Sequence, residues 1–283
     1  MTTKHRLSNT GTLQTNTYFD EFSDSSGSLS FTRISVNPPD GGLLTVPNDA
    51  SLKLGANNFT IEFWAYPTDT SGTTTVVTTG TDLSFSIIGG GSWYYGLSSS
   101  GTTQNITGGV VKSFATPILN RWQHVALVRN GNVFTPYLNG VAGANTTSSS
   151  ALFDYTTNLQ LGDISNGFGG YLSNFRIVKG TALYTSNFTP PNQPLDVIAN
   201  TSILLLANNG NPYKDSSSNN FTTTRNSAVV ANALTPFVNK PKITSNRIIG
   251  LLNEVTNPGP KMRMSNTGII YVSSVFDEYT GIE

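Results

Sequence analysis

The chain contains no cysteine, so neither disulfides nor thiolate metal sites enter its chemistry. Histidine occurs only at His5 and His124, which leaves no His-rich metal site and argues against a Ser-His-Asp triad. Charge is scarce: 11% of 283 residues, against about 25% in ordinary soluble domains. The 16 Lys and Arg balance the 16 Asp and Glu, so no basic excess exists to meet a phosphate backbone. No apolar run approaches the roughly 18–20 residues of a membrane helix. The polar opening Met1-Thr2-Thr3-Lys4-His5-Arg6 shows no secretory pattern. What the chain has instead is Ser 31, Thr 38, Asn 30 and Gly 27. Because 37% of it remains hydrophobic and 10% aromatic, this composition predicts a solvent-facing β scaffold made or packaged in a cytosol rather than a disordered tail.

The pattern divides the chain into a polar, turn-rich tail (1–27), a long alternating region (28–236), a linker (237–260) and a second tail (261–283). Pro236, Pro241 and Pro258-Gly259-Pro260 punctuate the later boundaries. Within the middle region Phe59, Ile61, Phe63 and Ala65 predict one strand face, and Thr60, Glu62, Trp64 and Tyr66 the other. Pro67 closes that strand, having no N–H to donate. Trp122 to Arg129 and Val133 to Leu138 are further strands, followed by Asn130-Gly131 and Asn139-Gly140, the strongest short hairpin turns because both residues tolerate positive φ. Leu83 to Ile88, Trp93 to Leu97, Leu159 to Gly162, Tyr171 to Lys179 and Ile203 to Leu206 read likewise. Many short strands and no amphipathic helix predict an all-β, two-sheet sandwich or jelly roll.

The two ends repeat one another at an offset of 257 residues. Arg6-Leu7-Ser8-Asn9-Thr10-Gly11 aligns with Arg263-Met264-Ser265-Asn266-Thr267-Gly268. Without a gap, Phe19-Asp20-Glu21-Phe22 then aligns with Phe276-Asp277-Glu278-Tyr279. Eight of the seventeen positions 6–22 are identical. Arg and Phe-Asp-Glu are foreign to the Ser/Thr/Asn background, so duplication explains the match better than low complexity. Each copy predicts a short β-hairpin whose Gly occupies the turn position needing positive φ. Arg6, Asn9, Gly11, Phe19, Asp20 and Glu21, with Arg263, Asn266, Gly268, Phe276, Asp277 and Glu278, are the candidate partner-binding residues.

Phe59-Thr60-Ile61-Glu62-Phe63-Trp64, Arg121-Trp122-Gln123-His124-Val125-Ala126-Leu127-Val128-Arg129 and Tyr137-Leu138-Asn139-Gly140 resemble the laminin-G-like, concanavalin A-like jelly-roll family. Gly170 to Gly180 is similar to its late strand. The continuation Thr181-Ala182-Leu183-Tyr184 and Asn187-Phe188-Thr189-Pro190-Pro191 resembles the variant of tailed-phage virion proteins. The likeness spans about residues 29–231 and leaves the tails outside. It implies a virion structural protein, a capsid or tail decoration or appendage, located on the virion and displaying a lectin-like domain for attachment to surface glycans. Its expected partners are other virion proteins, further copies of itself in a homo-oligomer, and a host-surface glycan, with neither nucleic acid nor membrane insertion. A polysaccharide-degrading enzyme and a free carbohydrate-binding adhesion module are the alternatives.

Glycoside hydrolysis needs two carboxylates roughly 5–10 Å apart, whereas Glu62 has Trp64 and Tyr66 as its next same-face neighbours. Only Asp163 or Asp82, from other strands, would supply a second acid, so no enzyme is expected. His124 reads as a hydrogen-bonded structural residue. No cofactor is expected either. Calcium, which the resemblance raises, wants six to eight oxygens, and Asp163 with Asn166 is the loop where it would sit; the other reading is a solvated loop aspartate. Sugar binding calls for exposed aromatic faces and planar amides. In Trp93-Tyr94-Tyr95, alternation leaves Tyr94 as the candidate surface ring, with Asp163 and Asn166 as polar partners.

Overall fold

The computed structural model describes residues 27–33, 41–72, 74–80, 84–208 and 211–237, together with the backbone of four short strands nearer the ends. The chain divides into two compact units, 22–238 and a second drawn from 1–21 and 239–283. In the second unit β1 (Lys4–Leu7) pairs antiparallel with β2 (Leu13–Asn16). The larger unit begins with β3 (Ser28–Phe31), β4 (Leu43–Val46), β5 (Phe59–Pro67), β6 (Thr74–Thr78), β7 (Phe85–Gly89), β8 (Trp93–Leu97) and β9 (Lys112–Ala115). It continues with β10 (Gln123–Asn130), β11 (Val133–Leu138), β12 (Val141–Ala142), β13 (Thr146–Thr147), β14 (Leu159–Gly162), β15 (Gly170–Lys179), β16 (Thr201–Leu205), β17 (Thr224–Arg225) and β18 (Val229–Asn232). Back in the second unit, β19 (Lys261–Met264) pairs antiparallel with β20 (Ile270–Ser273).

The larger unit is a two-sheet jelly-roll sandwich. Among the described residues one sheet has nine strands in the order β12-β11-β10-β5-β15-β3-β18, with β13 also on β11 and β16 also on β15. The other has seven, in the order β17-β4-β14-β6-β7-β8-β9. Among the described residues the helical content is two three-residue 3-10 turns, Ala50–Leu52 and Asn105–Thr107. Alternation along β5 places Phe59, Ile61, Phe63 and Ala65 between the sheets, each 0% exposed. Across the sandwich Phe63 meets Trp93 of the other sheet edge-on at 6.4 Å. Burying each such aromatic side chain is worth roughly 1.5–3 kcal/mol, so the fold needs no disulfide to hold its layers.

The hairpin turns differ in detail. Asn139 and Gly140 both have positive φ, 50° and 77°, between the paired residues Leu138 and Val141. That is the two-residue type I′ pattern. The preceding turn lies one residue later than expected: Asn130 still pairs with Val133, leaving Gly131 and Asn132 as the loop. Only Gly131 there has positive φ, 59°, as in turns with Gly at the first central position.

The described ends of the sandwich attach to the same ladder pair of β5 and β15. The Gly27 carbonyl accepts from Ser173 Oγ at 2.6 Å, and Ser173 pairs with Trp64 in the ladder. Phe237 packs edge-on against that same Trp64 ring at 5.9 Å.

Gly140 also carries a stability prediction. A Cβ there would run into the Phe188 carbonyl, and a positive φ already penalises alanine. Gly140→Ala should cost about 2 kcal/mol or more. Gly131→Ala, with nothing within 4 Å of the new methyl, should cost only the backbone penalty of about 1 kcal/mol. Thermal melts of the two variants check the ordering.

Candidate functional site

The outer face of the nine-stranded sheet holds most of the unusual chemistry. Along β5 its side chains are Thr60, Glu62, Trp64 and Tyr66, and they pass from sealed to half-exposed in that order. Residues 181–196 follow β15 and run back over this face as a strap. Thr60 Oγ1 donates to the Thr181 carbonyl at 3.1 Å and accepts from the Leu183 N–H at 2.9 Å. The Phe188 N–H donates to the Gly140 carbonyl, and Asn187 Oδ1 accepts from the Ala142 N–H at 3.0 Å. Beneath the strap Ala126, Val128 and Tyr137 form a second apolar cluster with Ala182, Tyr184 and Phe188.

Glu62 is 0% exposed, yet four donor contacts reach it. Arg176 donates from Nε at 2.9 Å and from Nη2 at 2.5 Å to Oε1. Oε2 accepts the Tyr184 hydroxyl at 2.8 Å and His124 Nε2 at 3.1 Å. A carboxylate only accepts, so Nε2 carries the shared hydrogen. Among the described residues His124 Nδ1 has no partner, and it lies in a cage of rings: Trp64 at 5.3 Å, Phe188 at 5.6 Å and Tyr184 at 6.2 Å. Burial alone would push the Glu62 carboxyl up; the His124 hydrogen bond and the Arg176 guanidinium outweigh it and hold it below the usual carboxylate range. Burial, then the neighbouring Glu62 charge, drives the Tyr184 phenol far above its ordinary value. His124 is thus the hydrogen-bonded structural residue its strand position suggests. Glu62 does not meet Asp163, which follows β14 in the other sheet; Asp82 lies outside the described residues.

Beyond the strap the face is aromatic. Tyr66 pairs with Tyr171 on β15, and Trp122 stands just before β10 on the other side. Tyr66 meets Trp122 edge-on at 5.5 Å and Tyr171 at 5.6 Å, and all three rings are part-exposed. The row continues across Ser30 to Val230, which is 54% exposed. Exposed Ile118 and Leu119 precede Trp122. The indole N–H groups of Trp64 and Trp122 are buried without an acceptor among the described residues, a cost of about 1–3 kcal/mol each. A few residues past Tyr66 at the same rim, Arg33 Nη1 donates to Asp69 Oδ2 at 2.8 Å. The Ser71 backbone N–H and hydroxyl hold the half-exposed Asp69 carboxyl below its ordinary value. Chemically, this end offers ring surface for apolar C–H groups, with a carboxylate and a guanidinium beside it for hydroxyls.

The sequence already placed Trp64 and Tyr66 on one face. It gave no sign that Trp122 and Tyr171 would join them, because those contacts bridge three strands.

The seven-stranded sheet holds the residues expected to bind sugar. Trp93 and Tyr95 point into the core and Tyr94 points out, half-buried. Tyr94 pairs with Ile88, Ile88 with Thr75, and the Thr75 N–H donates to the Asn166 carbonyl at 2.8 Å. Three strand spacings therefore separate Tyr94 from the Asp163–Asn166 loop, about 14 Å. They share a sheet but do not converge. Asp163 Oδ1 accepts the backbone N–H groups of Ser165 and Asn166, each at 2.7 Å, so it closes its own loop. Among the described residues no group of three His, Cys, Asp or Glu side chains gathers anywhere. This donor set does not fit calcium, which needs six to eight oxygens. A shallow depression of about 500 Å³ lies between Ile106–Lys112 and Asn145–Thr147. It offers no aromatic ring, and Asn145 and Thr146 already engage its Lys112.

Of the candidate partner-binding residues, Arg6 and Arg263 lie in β1 and β19, where only the backbone is described. Asn9, Gly11, Phe19, Asp20, Glu21, Asn266, Gly268, Phe276, Asp277 and Glu278 lie outside the described residues.

Comparison with known proteins bears on this scaffold. Residues 39–183, just over half of the chain, match a laminin-G-type family described as the concanavalin A-like lectin/glucanases superfamily. A search of curated proteins returned no match. Among solved structures, a Bacteroides ovatus protein for which carbohydrate binding has been suggested aligns at 14% identity with a TM-score of 0.54. The alignment covers 76% of this chain and 62% of that one. A heptameric pentraxin from Limulus polyphemus aligns at 14% identity and a TM-score of 0.46, covering 75% and 96%. At such identities the likeness concerns the fold.

Glu62 supplies a test of this face. Its folded-state value is lowered, so its stabilisation is fully present above the unfolded carboxyl value of about 4.3 and is lost as pH falls through the folded value. Glu62→Gln leaves Arg176 buried without its counter-charge and should cost about 3–5 kcal/mol at pH 7. The gap in melting temperature between wild type and variant should narrow in melts carried out progressively below pH 4.

Proposed function

The chain belongs to the concanavalin A-like lectin/glucanases superfamily, and from that premise we propose that it is a non-enzymatic, glycan-binding structural protein of a virus particle. The observation that carries the binding part is the row Trp122–Tyr66–Tyr171 with the Arg33–Asp69 pair at its rim. Small-molecule sites combine aromatic surface with a few placed polar groups, and pyranoses present that mixture in reverse, C–H faces edged by hydroxyls. The non-enzymatic part is supported by Glu62. Both its oxygens are occupied, the strap excludes water from it, and no second carboxylate stands beside it among the described residues. Support for the particle setting comes from the resemblance of residues 181–191 to phage virion proteins and from the duplicated tails.

A free adhesion module is the second reading. It shares the sugar site and differs in having no particle. Mass spectrometry of purified particles separates the two, since absence from every fraction removes the virion setting.

The sugar site is tested by retention on a panel of immobilised polysaccharides, with melts recorded on the same variants. Tyr171→Ala and Asp69→Asn should each weaken retention about tenfold, near 1.4 kcal/mol, with Tyr171→Ala keeping a cooperative transition. Tyr94→Ala should leave retention unchanged. Loss with Tyr94→Ala and not with Tyr171→Ala would move the site to the seven-stranded sheet. A protein retained by no saccharide would be decoration alone.

A further inference from the structure

The duplicated tails are not absorbed by the sugar-binding reading, and their backbone adds to the sequence match. β1 and β2 span 4–7 and 13–16; β19 and β20 span 261–264 and 270–273, each bound displaced by the same 257 residues. The registers obey the same offset. Lys4 faces Asn16 as Lys261 faces Ser273; Arg6 faces Gln14 as Arg263 faces Tyr271; Leu7 faces Leu13 as Met264 faces Ile270. A one-residue slip would exchange the two faces of a strand, so a shared register means that corresponding positions occupy corresponding faces in both hairpins. Duplication therefore extends from residue types to three-dimensional structure.

Each ladder is a separate two-stranded sheet. Among the described residues, both outer edges of each lack a further strand. An isolated two-stranded hairpin is marginal in water, and an open edge is a template for another strand. Copies 4–22 and 261–279 each contain one Lys, one Arg, one Asp and one Glu, with no other formal charge at pH 7, so each is electrically neutral. A neutral element bearing both signs at fixed places can meet its own like without net repulsion. A foreign partner with one binding site would need only one hairpin. A partner that itself presents the element twice makes use of both.

We propose that the two hairpins are homotypic docking elements whose occupant is the corresponding hairpin of a second copy of this chain, joined by strand addition at the open edges. Main-chain hydrogen bonds give such contacts their affinity, and contact between like surfaces is the rule in symmetric oligomers. Two hairpins on one chain make the second docking event intramolecular, which multiplies affinity when the geometry allows both.

The test uses the full chain in sedimentation-velocity runs from about 1 to 100 μM, a range that brackets a micromolar association. Gln14→Pro and Tyr271→Pro strike equivalent ladder positions, where proline supplies no backbone N–H and disfavours strand pairing. The wild type should assemble, each single variant should weaken assembly about tenfold or more, and the double variant should be monomeric with the sandwich melting as in wild type. A wild type that stays monomeric throughout overturns the proposal, including the case in which the hairpins serve a different protein. So does a double variant that assembles normally, or one whose sandwich melts early, which would make the hairpins a cap on the fold. None of these outcomes depends on saccharide retention.

Discussion

A fully buried carboxylate organises the outer face of the nine-stranded sheet. Taking Glu62 out of water costs several kcal/mol unless its lone pairs and charge are matched. The match comes from three directions: Arg176 on β15, His124 on β10 and Tyr184 on the strap. The strap must therefore lie down on the sheet for the carboxylate to be tolerated. Once down, it covers Ala126, Val128 and Tyr137 and turns an outer face into a second small core. Arg176 also donates to the Asp196 carbonyl at 2.7 Å, fastening the far end of the strap. Both oxygens of Glu62 are thereby engaged in holding the strap to the sheet.

That seal has a limit, and the limit defines the surface that remains. The strap covers Thr60 and Glu62 but stops short of Tyr66, so rings beyond that point pack edge-on against each other and keep part of their area in contact with water. On the opposite sheet the outward side chains are sparser. Tyr94 is flanked along its row by Ile88 and Thr75, and the polar Asp163 loop turns its carboxylate onto its own amides. One face offers several rings beside an acid and a guanidinium. The other offers a single ring whose nearest acidic loop lies three strand spacings away.

Much of the sandwich was legible because alternation is local. β5 declares its core face in four residues, and Asn139-Gly140 makes the turn its composition demands. What stayed hidden is non-local. Nothing near Glu62 announces Tyr184, 122 residues later, or Arg176, 114 later. Buried Asp215 is similar: its carboxylate accepts N–H groups of Leu204, Ser217 and Phe221, pinning a loop that the sequence presents as polar filler. The turn after β10 was misplaced by one residue because Gly131 alone supplies the positive φ, which leaves Asn130 free to stay in the ladder. For the proposed sugar site, period two gave the face of Tyr66, but burial of neighbouring faces depends on what folds over them.

The point on the β5–β15 ladder where the described sandwich begins and ends ties these features together. Ser173 is the ladder partner of Trp64, and their row lies between the sealed carboxylate and the exposed aromatic end. Gly27 binds to the one and Phe237 to the other. A Cβ on Gly27 would meet the Asn232 and Ala207 carbonyls, so the chain passes there only as glycine. A change that loosened Trp64 would act on the His124 cage and the Phe237 contact together. Residues more than 7–10 Å apart usually contribute additively, whereas those sharing partners do not. Trp64 shares partners with both the buried ion pair and the chain exit, so disturbances of the strap and of the exit should prove non-additive although their sequence positions are far apart.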